Sequence, residues 1–188
     1  MTDLQRQLND FTNAMESGVF TRADRAQIDL EAGIESISEI LKKNRADSGS
    51  VFLIGNGGSA AIASHIANDF VNTGRLDARV MHDQALLTCF ANDYGYDQIY
   101  AMQLERVVCE EDVLVAVSSS GNSSNIVNAA VACANAGGTV VTLTGFEENN
   151  ALRQMGDLNY WIDSSDYGLV EIGHLFLLHY VASIISKS

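Results

Sequence analysis

Hydrophobic and polar positions change rhythm along the chain. Two amphipathic stretches, 3–17 and 22–45, meet at Ser17-Gly18-Val19-Phe20-Thr21. In the second, Ile28, Ala32, Ile34, Ile37 and Leu41 recur at helical spacing behind a capping-box-like start, Thr21-Arg22-Ala23-Asp24. After Asp47-Ser48-Gly49-Ser50 the pattern becomes short continuous apolar runs separated by amphipathic ones. The runs predict strands at 51–54, about 85–90, 113–118, 139–143 and 158–162. The segments between and after them predict helices at 59–71, 97–108, 123–136, a short one near 148–155, and 169–186.

Strands as uniformly apolar as Val113-Leu114-Val115-Ala116-Val117 belong to a parallel sheet covered on both faces. The expected architecture is α/β, a sheet between helical layers, in one domain spanning 1–188. Its first 46 residues form helices used in packing or assembly. In such sheets ligands sit beyond the carboxyl ends of the strands, which focuses attention on the strand-end loops.

The loop after the first predicted strand is Gly55-Asn56-Gly57-Gly58-Ser59, and it opens onto a helix. Glycines let the backbone approach an anion, and the unpaired N–H groups of a first helical turn favour one. No lysine of a nucleotide-triphosphate loop is present. The same residues satisfy a loose dinucleotide fingerprint with Asp77 downstream, and a turn needing glycine only for its shape is the plainer alternative. After strand 113–118 comes a second loop, Ser118-Ser119-Ser120-Gly121-Asn122-Ser123. Its hydroxyls can supply several donors to one phosphate, or simply cap a helix. Together the two loops point to a phosphoryl group.

Asn92-Asp93, after the predicted strand at 85–90, is a substrate-hydroxyl contact or a helix cap. His65 and Asp69 share a helix face, a spacing that suits a metal or an acid–base pair. In the last helix Glu171 and His179 lie roughly 80° apart in projection and are assigned to the crevice. His174, on the other side, is assigned to structure or a subunit contact.

Composition narrows the classes. With 47% apolar and 19% charged residues the chain reads as globular, and its net charge of −13 argues against nucleic-acid binding, which needs basic side chains. Cys89, Cys109 and Cys133 lack metal-type spacing and are expected to be reduced and mostly buried. The opening residues Thr2-Asp3-Leu4-Gln5-Arg6 carry no apolar leader, and no run approaches a membrane span. A cytoplasmic location without a membrane partner is expected. No proline occurs in the sequence.

Taken together, Gly55-Asn56-Gly57-Gly58-Ser59 with His65, Ala91-Asn92-Asp93, Ser118-Ser119-Ser120-Gly121-Asn122-Ser123, Thr142-Leu143-Thr144-Gly145 and Glu171-Ile172-Gly173-His174 with His179 resemble the sugar isomerase (SIS) domain family, phosphoheptose isomerase type. The resemblance implies a five-stranded parallel sheet flanked by helices and a homotetramer with active sites at subunit interfaces. It also implies aldose–ketose isomerisation of a sugar phosphate, most simply sedoheptulose 7-phosphate.

The resemblance assigns phosphate binding to Ser59, Ser118, Ser119, Ser120 and Ser123, with Gly57 and Gly58 in the loop and Asn56, Asn92 and Asp93 near the sugar. Zinc, one ion per subunit, is assigned to His65, Asp69, Glu171 and His179. Asp69 or Glu171 is the implied base and His179 the acid. This chain carries Asp69 where that type has Glu, and Glu171 where it has Gln. SIS domains also include non-catalytic phosphosugar-binding regulators, the competing class.

Overall fold

The computed structural model describes residues 2–187. Helix α1 (Asp3–Glu16) precedes a hairpin of β1 (Val19–Arg22) and β2 (Gln27–Ile28), then α2 (Leu30–Ala46). The central unit follows as β3 (Ser50–Ile54), α3 (Gly58–Asn72), β4 (Asp77–Val80), α4 (Gln84–Tyr94), α5 (Ala101–Val107), β5 (Val113–Ser118) and α6 (Ser124–Asn135). It closes with β6 (Thr139–Thr144), β7 (Leu158–Trp161) and α7 (Tyr167–Ile185).

The strands form one sheet in the order β2-β1-β7-β6-β5-β3-β4. From β4 to β7 the five are parallel, as expected. The sheet is larger than the five strands expected, because β1 adds antiparallel to β7 and β2 to β1.

Two cores lie on the two faces. One gathers Phe20, Ile37, Leu53, Phe70, Val115, Tyr160 and Leu178 from the sheet, α2, α3 and α7. The other gathers Ile54, Leu104, Leu114, Ile126 and Leu152 beneath α5 and α6. The two sets of strand residues alternate, as the pleat requires.

Several local expectations are corrected. The helix read at 22–45 begins only at Leu30, where the Asp29 carboxylate accepts the Ala32 N–H at 2.8 Å. The residues before it make the hairpin, because Phe20 is fully buried against the Tyr160 ring, 4.7 Å between centroids. The strand read at 85–90 is α4, started by Asp83 accepting the Leu86 N–H at 3.0 Å. Leu86, Leu87 and Phe90 are apolar at helical as well as strand spacing.

The missing strand is β4, a sheet-edge segment that buries Ala78 between exposed Asp77 and Arg79, the charged pattern that protects an edge. The helices read at 97–108 and 148–155 shorten to α5 with a 3-10 turn at Tyr96–Gln98, and to a 3-10 turn at Leu152–Gln154.

β4 also disposes of the dinucleotide alternative. Asp77 pairs in register with Ser50, at the start of β3, the end opposite the Gly55 loop. Its carboxylate is bound by Arg79 at 2.6 Å and by the Ser50 hydroxyl at 2.8 Å, and the Arg79 hydrogen bond holds its carboxyl below the ordinary range.

The expectation that no run approaches a membrane span meets one helix, α7, that is long and apolar enough by length and composition alone, with a mean hydropathy of 1.6 over 18 residues. Its Val170, Leu177, Leu178, Val181 and Ile185 are buried in the first core, the pattern of a helix running through a protein interior. Of the cysteines only Cys133 is buried; Cys89 and Cys109 are exposed.

His174 on α7 is fully buried, as its structural assignment required. Nε2–H donates to the Thr144 carbonyl at 3.0 Å and Nδ1 has no partner among the described residues, so a second proton would be a buried charge without an acceptor. Burial pushes the imidazole down to about 4, partly opposed by the Thr144 bond. Its unfolded pKa is near 6.5, so the unfolded chain binds the extra proton first as pH falls. The contribution is complete above pH 6.5 and is lost between about 6.5 and 4, on the order of 3 kcal/mol. Urea unfolding is expected to show that loss, and His174→Gln, which retains the donor, to flatten it relative to the wild type.

Candidate functional site

β3 ends in Gly55-Asn56-Gly57, and Gly57 has φ +53°, a left-handed conformation natural only to glycine. α3 begins at Gly58, so its unpaired first-turn N–H groups face the crevice beyond the strand ends. β5 delivers the second loop to the adjacent position. Ser118 and Ser119 are buried, and Ser123 occupies the cap position of α6 without making a side-chain capping bond. The capping alternative for that serine therefore falls. The Ser119 hydroxyl is buried with no hydrogen-bond partner among the described residues.

The two loops face one cavity of about 120 Å³, lined by Asn56, Ser59, Ser118, Ser119, Ser120, Ser123, Tyr167 and Glu171. A reciprocal amide pair ties the loops together: Asn56 and Asn125 each donate to the other, at 2.9 and 2.8 Å. Tyr96 adds a hydroxyl to Asn56 at 3.3 Å, and Tyr100 donates to the Gly55 carbonyl at 2.7 Å. Burial pushes the Tyr100 hydroxyl up to about 12, so it remains a donor.

Along the groove between α3 and α7 lies a second cluster. Asp69 Oδ2 is 2.8 Å from His179 Nδ1 and 3.4 Å from His65 Nε2. One potential ligand atom from each of these residues lies within 4.8 Å of the others. The Asp69 side chain is 15% exposed, against 55% and 62% for His65 and His179, so the imidazoles open outward while the carboxylate is recessed.

Residues 18–145 match the SIS domain family. Over 190 residues the chain is 34% identical to the phosphoheptose isomerase of Burkholderia pseudomallei strain K96243, covering 97% of this chain and 96% of that one. Over 188 residues it is 31% identical to the phosphoheptose isomerase of Geobacter sulfurreducens, covering 96% and 97%. The chain belongs to the phosphoheptose isomerase family of SIS domains. In three dimensions it matches a phosphoheptose isomerase from Francisella tularensis with a TM-score of 0.84 and 26% identity over the full length of both chains.

Membership in the phosphoheptose isomerase family agrees with the resemblance read from the loops. The structure refines where individual residues sit. The serine set and Asn56 come together as expected, but Glu171 joins them and not the histidines. It precedes His179 by eight residues on α7, about 12 Å of helix rise. A Cβ placed on Gly58 would overlap the Glu171 carboxylate, which therefore lies against the first turn of α3. Within one chain His65, Asp69 and His179 meet without Glu171. Asn92 and Asp93 lie exposed in the last turn of α4 and outside the cavity, with Asn92 donating to Asp93 at 2.8 Å. They were expected at a strand end and are on a helix.

Sequence reading missed Tyr167 and Asn125. Tyr167 is the first residue of α7 and carries no periodic signal. Asn125 was legible only as one more polar residue after the serine run.

Two imidazoles and a carboxylate are a ligand set suited to a divalent metal ion, since three protein ligands with an open fourth position is a common catalytic arrangement.

Proposed function

We propose that this protein interconverts sedoheptulose 7-phosphate and D-glycero-D-manno-heptose 7-phosphate, supplying heptose for cell-surface polysaccharide in the cytoplasm. The observation that carries the reading is the unpartnered buried hydroxyl of Ser119, facing a cavity that four other serines line. A buried donor without an acceptor is unfavourable, and a phosphoryl oxygen supplies the acceptor.

No lysine or arginine lines that cavity. The grip consists of hydroxyls and of the first-turn N–H groups of α3 and α6, which suits a chain whose overall charge repels anions. An extended seven-carbon phosphate with C–C bonds of about 1.5 Å is comparable in length with the separation of Glu171 from His179. With its phosphate held by the serines, the sugar brings C1 and C2 toward Asp69.

Asp69 uses Oδ2 toward both imidazoles, leaving Oδ1 for substrate. In the ketose-to-aldose direction Oδ1 takes a proton from C1 while His179 Nε2–H protonates the C2 carbonyl oxygen, giving the enediol. Asp69 then returns its proton to C2, and the C1 hydroxyl gives its proton back to His179, leaving the aldehyde. The phosphate, remote from the reacting carbons, contributes orientation. His65, Asp69 and His179 would hold a divalent ion, zinc by ligand type, His179 through the ring nitrogen that does not carry the transferred proton. When bound it would stabilise the charge developing on the substrate oxygens. NMR detection of heptose 7-phosphate formed from sedoheptulose 7-phosphate tests the reading.

Glu171 places a negative charge where the substrate's phosphate binds. Glu171→Gln is expected to lower KM roughly tenfold by removing that repulsion, with kcat within a few-fold of wild type. A collapse of kcat with KM unchanged would make Glu171 the base instead.

The family assembly is also proposed here. Leu4 and Leu8 on α1 and Ile172, Phe176 and Tyr180 on α7 are exposed at helical spacing, with the Phe11 and Phe176 rings edge to face at 6.0 Å. Such a stripe marks a protein contact. A homotetramer through these helices would draw active sites to subunit interfaces, and the exposed His65 and His179 leave room for a neighbour. Light scattering is expected to give four times the 20.3 kDa chain mass; a monomer would contradict the proposal.

A further inference from the structure

At the other end of the sheet lies a site with the opposite electrostatic character. Arg22 pairs in register with Leu158, the first residue of β7, so the turn that follows β1 sits at the amino ends of the parallel strands. There a cavity of about 350 Å³ opens between the β1–β2 turn and the 3-10 turn at Leu152–Gln154. The serine loops follow the carboxyl ends.

Three of the chain's eleven lysines and arginines, Arg22, Arg25 and Arg153, line this cavity, although the chain as a whole carries −13. Arg153 is held rigidly. Its side chain is 8% exposed, its guanidinium lies over the Trp161 ring at 4.5 Å, and Nη1 donates to the Glu148 carbonyl at 2.8 Å. No acceptor among the described residues engages its Nε or Nη2 groups. Arg25 reaches only the Gln154 amide oxygen, at 3.4 Å, and Arg22 has no side-chain partner among the described residues.

The turn itself is closed by backbone hydrogen bonds, Arg22 N–H to Ala26 O at 3.0 Å and Arg25 N–H to Arg22 O at 2.8 Å. The two exposed arginines therefore do not hold it together. One carboxylate faces the three guanidiniums, Glu148, 75% exposed and 3.4 Å from Arg153. The lining thus carries an excess of two positive charges.

We propose that this cavity is a second anion site, built for the phosphoryl group of a small molecule. Guanidinium forks bind phosphoryl oxygens in pairs with good geometry. Two net positive charges match a phosphate dianion. A cavity this size leaves space for the organic part beyond the phosphoryl group. The site does not depend on the isomerase reading, since it shares no residue with the serine cavity.

The test titrates inorganic phosphate into the full-length protein by calorimetry in phosphate-free buffer of low ionic strength. The wild type, the pair Arg22→Ala/Arg25→Ala, and Ser119→Ala are compared. The expected result is a phosphate site that weakens at least tenfold in the arginine pair and persists in Ser119→Ala. The thermal midpoint of the pair without phosphate should equal that of the wild type. Phosphate binding by the arginine pair indistinguishable from wild type would overturn the proposal. Loss of a site only in Ser119→Ala would do the same while leaving the active-site reading intact.

Discussion

Asp69→Asn is expected to reduce kcat on sedoheptulose 7-phosphate by a factor on the order of 10³, in line with the contribution of a positioned acid–base group. Asparagine preserves the shape that fits between His65 and His179 but cannot accept a proton. It also replaces the charged partner that lies 2.8 Å from His179 Nδ1, so the imidazole loses its orienting carboxylate. KM should change little, because the phosphate grip lies about two helical turns away along α7. Metal content should fall with activity, since a carboxylate oxygen leaves the three-ligand set. Steady-state kinetics with metal analysis checks both. A kcat within threefold of wild type would remove Asp69 from the chemistry.

The second large effect is on stability. Phe20→Ala is expected to destabilise the fold by about 3–5 kcal/mol, the usual range for deleting a fully buried aromatic side chain. Phe20 has no exposed surface and packs on Tyr160, and a Cβ on Gly33 of α2 would overlap its ring. No atom near it is free to fill the space from solvent. For a chain of this size the midpoint should fall by roughly 10 °C, measured by calorimetry. A shift under 2 °C would mean that β1 is an ornament of the sheet edge and not part of its core.

That strand also shows where sequence reading stops. β3 and β5 were legible because each is buried on both faces and nearly uniformly apolar, and β6 and β7 because β-branched and aromatic residues dominate them despite the buried Thr142, Thr144 and Asn159. β4 was invisible because an edge strand is written in charges, Asp77 and Arg79 around a single buried alanine. α4 was misread because Leu86-Leu87 with Phe90 serves either period, and the deciding signal, Asp83 as cap, lies outside the apolar run. β1 was read as the joint between two helices and β2 as the start of the second, because a hairpin this short shows only Phe20 as a core residue.

The site divides along similar lines. The serine loops were readable as a pair: either alone could have been a turn or a helix cap, but two such loops after neighbouring strands point to one anion. Grouping Glu171 with His179 followed from angular position around α7, which ignores progress along the axis. Eight residues bring the side chains to within 80° in projection and leave them about 12 Å apart in rise. The carboxylate thus faces the phosphate cavity and the imidazole faces Asp69. Tyr167 and Asn125 enter the site through tertiary placement alone, which no spacing rule encodes.

The central claim is that the serine turns seat the phosphate while the Asp69–His179 pair moves the proton. Incubating the metal-analysed protein with sedoheptulose 7-phosphate in D₂O and following the C1 hydrogens by NMR tests it most directly. The account predicts deuterium at C1 together with heptose 7-phosphate, both abolished by Asp69→Asn and by His179→Ala. Thermal stabilisation by the sugar phosphate with neither exchange nor product would contradict it and leave a phosphosugar-binding regulator.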